Sequence, residues 1–497
     1  MADSFLLAID QGTSGTKTVI FDEQTKMVAT ATVSLKSYFP QTGFVEQIPM
    51  EIYKSVLESV KQCLAAFIAN GGDLSRIKTC GISNQRETFV LWDKNGNPLH
   101  NAVVWQCKRS VEICHQLKST GIEDEIRTRT GLIIDPYFSG TKLIWLVQNI
   151  PDVAHAVNSG KAFFGTIDTW LLFKLTGAQS YITDHTNASR TLLFNLNDLA
   201  WDEFLLNEFH LNNLNLPGVT HSSGYFGETD FESLLPQKIP INGMIGDSHA
   251  AAFGEGCFQE GLAKATLGTG SSILMNIGQA PKTSKSGMMA TICWSLPGRI
   301  DYALEGVIVS AGATIHWMRD QLGLFANSAE TEAMAMSVEN NGGVYVIPGF
   351  SGLGAPHWKM DAKGAIVGLT FGSNKNHVVR AALESIPYQI KDVIEAVNKD
   401  VGIPLKELKV DGGITANAFV MQFLADILRC KVVNIGIADV SALGAGLMAG
   451  LGADVFTGLD QISPLLSSQN EFNPNSDNHS VLDWYSGWQE YVKNIYS

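Results

Sequence analysis

The sequence predicts an α/β protein made of two duplicated domains around a shared cleft, and three features of the chain point to it. The first is a meander near the N-terminus. Residues 5–9 form an apolar run, Asp10-Gln11-Gly12-Thr13-Ser14-Gly15 breaks it, residues 18–21 resume it, and the β-branched run 28–33 follows a second turn. Three strands joined by short turns read as antiparallel neighbours rather than as a strand-turn-helix nucleotide motif. The second is an amphipathic helix opened by Pro49. Ile52, Val56, Val60, Cys63, Leu64, Phe67 and Ile68 share one face, and Asn70-Gly71-Gly72 closes it. The third is an internal echo. Residues 263–275 repeat the strand, Gly-Thr turn, strand layout of residues 5–21, and the two Gly-Thr pairs, at Gly12 and Gly268, begin 256 residues apart.

At about 150 residues per domain, 497 residues suggest roughly three domains. An echo at half the length favours two instead, over residues 1–254 and 255–497. The elements between continue as mixed α/β. A strand is expected over 77–82, then a hairpin in which Phe89-Val90-Leu91-Trp92 turns at Asp93-Lys94-Asn95-Gly96 and returns through 102–105. Gly444-Ala445-Gly446-Leu447-Met448-Ala449-Gly450 reads as a tightly packed helix, and the tail 467–480 as loop.

Composition bounds the function. Hydrophobic residues are 45% and charged residues 17%, ample for sizeable cores. With 35 basic against 49 acidic side chains the net charge is −14, which repels a phosphate backbone and excludes nucleic acid as the main partner. One small anion remains compatible, because backbone amides and a metal ion hold phosphate inside acidic proteins. The seven cysteines include no C-x-x-C pair, and Cys107 and Cys114 beside His115 read as buried thiols rather than zinc ligands. An acid near the N-terminus in place of a basic signal-peptide segment, and no apolar run long enough to span a bilayer, fit a protein of the reducing cytoplasm without integral membrane association.

Three polar segments can carry chemistry. In Asp10-x-Gly12-Thr13, glycine admits an anion to the backbone, Thr13, Ser14 and Thr16 offer hydroxyls, and Lys17 adds positive charge. Asp10 faces phosphate usefully only across Mg²⁺. Gly246-Asp247-Ser248-His249 sits at a strand-to-helix junction, where ligands often bind. Asn84-Gln85-Arg86-Glu87-Thr88 sets five polar residues between apolar strands, and Arg86 with Glu87 can grip adjacent hydroxyls. Taken singly, each also suits a bland role: a β-turn, a helix N-cap and a solvated ion pair. No G-x-x-x-x-G-K-[ST], protein-kinase signature or strand-borne G-x-G-x-x-G occurs.

From Asp10 to about Gly450 the chain resembles the FGGY family of carbohydrate kinases, most of all its glycerol-phosphorylating members. Tyr137-Phe138-Ser139-Gly140-Thr141-Lys142-Leu143-Ile144-Trp145-Leu146 is similar to the first family signature. Gly364-Ala365-Ile366-Val367-Gly368-Leu369, with His377-Val378 and Ala381-Ala382-Leu383-Glu384, is similar to the second. The resemblance implies two actin/hexokinase-like (ribonuclease H-like) domains with ATP and substrate in the central cleft. It also implies a homo-oligomer, dimer or tetramer, of a Mg²⁺-dependent enzyme. It gives Asp10 and Asp247 to the metal and makes Asp247 the general base. Arg86, Glu87, Trp105, Tyr137, Asp247 and Ser248 fall to the polyol. Gly12, Thr13, Ser14, Lys17, Gly268, Thr269, Gly312, His316, Gly413 and Asn417 fall to ATP.

The implied reaction is phosphorylation of glycerol to glycerol 3-phosphate, or the same transfer to a larger polyol or ketose of the tetritol, xylulose or ribulose type. The alternative arises from departures. Ser248 stands where a glutamine is usual, Ser272 where an aromatic residue is frequent, Lys17 where arginine is frequent, and His316 where a glutamine is usual. The segment 231–237 lacks the glycine-rich loop and arginine that bind fructose 1,6-bisphosphate in some bacterial members, and Gly224 replaces a phosphorylatable histidine.

Overall fold

A computed structural model describes residues 4–359, 361–437, 439–466, 469–475 and 477–496. The N-terminal meander forms as expected. Strand Phe5–Gln11 pairs antiparallel with Gly15–Asp22, which pairs antiparallel with Met27–Ser34. Ile77–Asn84 then joins Phe5–Gln11 in parallel, Ile239–Gly246 joins Ile77–Asn84 in parallel, and antiparallel Ser223–Thr229 closes the six-stranded sheet. The second sheet repeats this plan. Leu262–Leu267, Ser271–Gly278 and Arg299–Ile308 form its meander, extended by Met289–Leu296. Parallel Glu407–Asp411 and Lys431–Asn434 follow, then antiparallel Asn470–Phe472, making seven strands. The echo is thus a duplicated topology, and the molecule has a two-domain α/β fold.

Helix Pro49–Ala69 packs Ile52, Val56, Val60, Cys63, Leu64 and Phe67 into the first core. Ile68 departs from expectation and is 53% exposed. It lies about 100° around the helix from Phe67, which carries it past the edge of the apolar stripe. In the hairpin, Asp93 accepts from the backbone N–H groups of Asn95 and Asn97, an Asx-type turn. Phe89–Trp92 and Ala102–Val103 belong to a four-stranded sheet with Glu46–Gln47 and Phe163–Thr166.

Helix Val440–Gly452 lies in the chain between two strands of the second sheet, Lys431–Asn434 and Asn470–Phe472, but packs on the first sheet and against helix Asp247–Gly254. Small residues permit this. A methyl group on Gly444 would stand 1.9 Å from the Ala250 carbonyl oxygen, and one on Gly81 would stand 2.0 Å from that of Ala445. The tail departs from a plain loop, since Asn470–Phe472 is an edge strand and helix Ser480–Tyr496 begins at its end; residues 467, 468 and 476 lie outside the described residues. All seven cysteines are buried and unbridged, and among the described residues no helix is long and apolar enough to cross a membrane.

Candidate active site

The two meander turns face one cleft of about 880 Å³. Asp10, Gly12, Thr13, Arg86, Glu87, Trp105, Tyr137, Asp247, Ser248, Gly268 and Thr269 all line it. Residues separated by more than 250 positions meet because each sheet delivers its meander turn to the same side.

Asp10 is held at the edge of the parallel pair. Its register neighbour Ser83 donates to Oδ1 at 2.9 Å. Burial, then the nearby Asp247 charge, push the Asp10 carboxyl up from the usual 3.8 to about 6 against the opposing effects of Ser83 and Lys17. Two acids under mutual repulsion fit a hard divalent cation. Among the described residues no three His, Cys, Asp or Glu side chains are grouped to hold a metal. Asp10 and Asp247 offer carboxylate oxygens, the hard donor type that Mg²⁺ takes.

Asp247 is the first residue of its helix, directly after strand Ile239–Gly246, with Gly246 as the cap. Arg86 Nε donates to Asp247 Oδ1 at 3.0 Å. Glu87 sits at φ 60, with the Thr88 N–H bonded to the Arg86 carbonyl at 2.6 Å. A left-handed tight turn at a non-glycine residue is strained, and such strain is characteristic of functional sites. It aims Arg86 and Glu87 to different partners. Glu87 Oε1 accepts from Arg190 Nε at 2.7 Å, both fully buried. Trp105 and Tyr137 form the apolar wall, edge to face with centroids 5.6 Å apart. Behind it, the buried Lys142 ammonium donates to the carbonyls of Pro136 and Tyr137 at 3.0 and 2.6 Å, fixing the tyrosine's backbone. Burial lowers the Lys142 pKa to about 8.

Around the second turn, Gly312 donates its N–H to the Gly268 carbonyl, and Ala311 and Ala313 donate to that of Thr269. Gly412 at φ 94 lies against Leu267, bringing the Gly412-Gly413 loop beside the same turn.

Other expected nucleotide residues lie outside the cleft lining. Lys17 Nζ is paired with Asp439 Oδ1, and Ser14 is exposed. His316 is exposed on helix Gly312–Asp320. Asn417 caps helix Ala418–Leu428, its oxygen accepting from the Val420 N–H and its amide donating to Thr331. The Thr16 hydroxyl, expected to serve phosphate, is buried against Ser55 Oγ at 2.7 Å. Strand alternation explains this: Thr16 points into the sheet-helix core, opposite its neighbours.

Residue-by-residue reading missed Glu305, Arg190, Lys264, Thr266 and Asp411. Lys264, Thr266 and Asp411 line the cleft, with Lys264 Nζ donating to Thr266 Oγ1 and that hydroxyl to Asp411 Oδ2. The available signal was a charged residue inside an apolar strand, as in Asp301-Tyr302-Ala303-Leu304-Glu305-Gly306-Val307-Ile308, since buried charges are rare unless paired.

Duplicated α/β sheets presenting two Gly-Thr turns and an acid-rich floor to one cleft define the two-domain phosphotransferase class. Comparison with known proteins makes the assignment specific. Residues 5–254 match the N-terminal domain of the FGGY family of carbohydrate kinases, and residues 263–453 match its C-terminal domain. Glycerol kinase of Carboxydothermus hydrogenoformans is 44% identical over 493 residues, 99% of this chain and 98% of the relative. Glycerol kinase of Shewanella pealeana is 45% identical over 493 residues, 99% of each chain. The crystal structure of Plasmodium falciparum glycerol kinase with ADP superposes with a TM-score of 0.93 at 34% identity, covering 99% of this chain and 98% of that one. The chain belongs to the FGGY family of carbohydrate kinases and is an ATP-dependent sugar or polyol kinase.

Proposed function

We propose that the enzyme transfers the γ-phosphoryl group of ATP to a terminal hydroxyl of glycerol, giving glycerol 3-phosphate, with Asp247 as general base. The observation that carries this is the convergence of Arg86, Glu87, Trp105, Tyr137 and Asp247 on one cleft beside both Gly-Thr turns. Relatives named glycerol kinase match nearly the whole chain, which supports the same substrate.

A small polyol offers hydroxyls on one side and C–H groups on the other. Arg86 donates to hydroxyl oxygens, Glu87 and Asp247 accept from hydroxyl protons, and Trp105 and Tyr137 pack against carbon. A site built to bond hydroxyls rejects analogues lacking them by about 10⁴-fold. Asp247 holds the reacting hydroxyl and takes its proton late, as transfer makes that proton acidic. The Gly12-Thr13 and Gly268-Thr269 turns approach the phosphates from opposite domains, and in-line positioning does most of the work. Asp10 and Asp247 would hold Mg²⁺, which supplies charge neutralisation on the phosphate oxygens.

A second reading, the same transfer to a tetritol or a ketose of the xylulose or ribulose type, is favoured by one observation. Ser248 and Ser272, whose hydroxyls lie 2.9 Å apart, leave short polar side chains beside Arg86. ADP release with glycerol, erythritol, threitol, xylulose and ribulose separates the two. Glycerol is expected to give the highest kcat/KM; a tetritol or ketose well above it defeats the first reading in favour of the second.

A further inference from the structure

Glu305 lies in strand Arg299–Ile308 of the second sheet, yet its carboxylate faces residues of the first half. Arg86 Nη1 donates to Oε2 at 3.1 Å and Arg86 Nη2 to Oε1 at 2.9 Å. Arg190 Nη2 lies 2.9 Å from Oε2, and Ser272 Oγ donates to Oε1 at 2.9 Å. Glu305 and Arg190 are fully buried and Arg86 is 5% exposed. Burial opposes the charge on Glu305, but the Arg190 and Arg86 guanidinium groups outweigh it and hold the carboxyl well below its usual range.

A guanidinium is a planar fork whose orientation is set once two of its nitrogens are engaged by one carboxylate. In Arg86 each Nη gives one N–H to Glu305 and keeps a second for substrate, while Nε reaches Asp247 Oδ1 at 3.0 Å. The plane that presents Arg86 to Asp247 is therefore set from the opposite domain. We infer that Glu305 is a positioning residue: from the second domain it seats Arg86, and through Arg86 the Asp247 carboxylate, for attack by the substrate hydroxyl. Arg86 is seated only while both halves meet at Glu305, which makes domain closure part of assembling the site. The inference rests on the proposed function of the cleft.

Glu305→Gln keeps the shape and removes the charge, and Glu305→Asp keeps the charge on a shorter arm. A displaced Asp247 is expected to lower kcat of Glu305→Gln about 100-fold, with the KM for ATP within about threefold of wild type. Glu305→Asp is expected to recover about tenfold of that loss. A residue that merely welds the domains would instead move Tm and both KM values together, with Glu305→Asp no better than Glu305→Gln, and that result overturns the inference. So does a folded Glu305→Gln with wild-type kcat. Should Glu305→Gln not fold, Ser272→Ala removes one bond to Oε1 and leaves both ion pairs, with Ser248→Ala, which breaks only the shared Ser248–Ser272 contact, as its reference. A fall in kcat of about threefold at constant Tm supports the inference, and unchanged kinetics overturn it. A wild-type enzyme inactive on every polyol and ketose defeats both this inference and the functional reading, whereas an active wild type beside an equally active Glu305→Gln defeats this inference alone.

Discussion

Trp105 donates its indole Nε1–H to the Thr13 hydroxyl at 2.9 Å, and Thr13 in turn donates to Gln85 Oε1 at 3.2 Å. The apolar wall of the proposed polyol site is thereby fastened to the first Gly-Thr turn. Trp105→Phe keeps an aromatic face and breaks the link. The expected outcome is a loss of about three- to tenfold in kcat/KM for the nucleotide as well as for the polyol, the size of one hydrogen bond. Steady-state kinetics with each substrate varied in turn check it, and a change confined to the polyol KM contradicts the coupling.

Asp247→Asn should reduce phosphoryl transfer by about 10²–10⁴-fold, the usual contribution of a general base. Nucleotide binding should survive through the untouched Gly-Thr turns, weakened only by the loss of one of the two carboxylates offered to Mg²⁺. Titration with Mg²⁺-ATP alongside a turnover assay separates the two properties. Wild-type turnover in this variant would remove Asp247 from the proposed role.

Asp10 yields a pH prediction. Its carboxyl titrates near pH 6 in the fold against a usual 3.8, so between those values the folded chain binds more protons than the unfolded one. Its favourable contribution to folding is present at low pH and is lost as pH rises through about 6. Asp10→Asn removes the buried charge. In metal-free buffer it should raise Tm at pH 7.5, with the difference from wild type shrinking below about pH 5. Mg²⁺-ATP should raise Tm of the wild type by more than that of Asp10→Asn. Thermal melts across pH, with and without Mg²⁺-ATP, test both statements.

Gly444→Ala places a methyl group 1.9 Å from a backbone oxygen that a helix on either side holds fixed. Overpacking of this kind costs about 1–3 kcal/mol, and relief here requires moving helix Val440–Gly452 off helix Asp247–Gly254. Urea melts should show a lower midpoint at similar slope. Because the second helix begins at Asp247, kcat should fall with stability rather than remain constant.

Much of the fold was legible locally. The meander, the Pro49 helix and the Asp93 turn follow from alternation, helical spacing and turn chemistry, all of which act over fewer than about ten residues. Ile68 failed because a helical pattern marks a stripe without marking its edge. The tail strand Asn470–Phe472 failed because three residues carry too little pattern, and the strand exists through pairing with Lys431–Asn434.

The site divides in the same way. Asp10, Gly12, Arg86, Glu87 and Asp247 stand out in the chain because polar residues and glycine interrupt apolar runs there, and the echo at Gly268 supplied the second turn. The chain alone therefore determined the duplicated α/β plan, the two turns and the acids that face them. Tertiary structure decided which groups meet. It tied Lys17 to Asp439, buried Thr16 on Ser55, made Asn417 a helix cap, and set Glu305 against Arg86 and Arg190. The physical reason is that a charge on a buried strand needs a partner, while the identity of that partner depends on how two sheets are brought together across more than two hundred residues of chain.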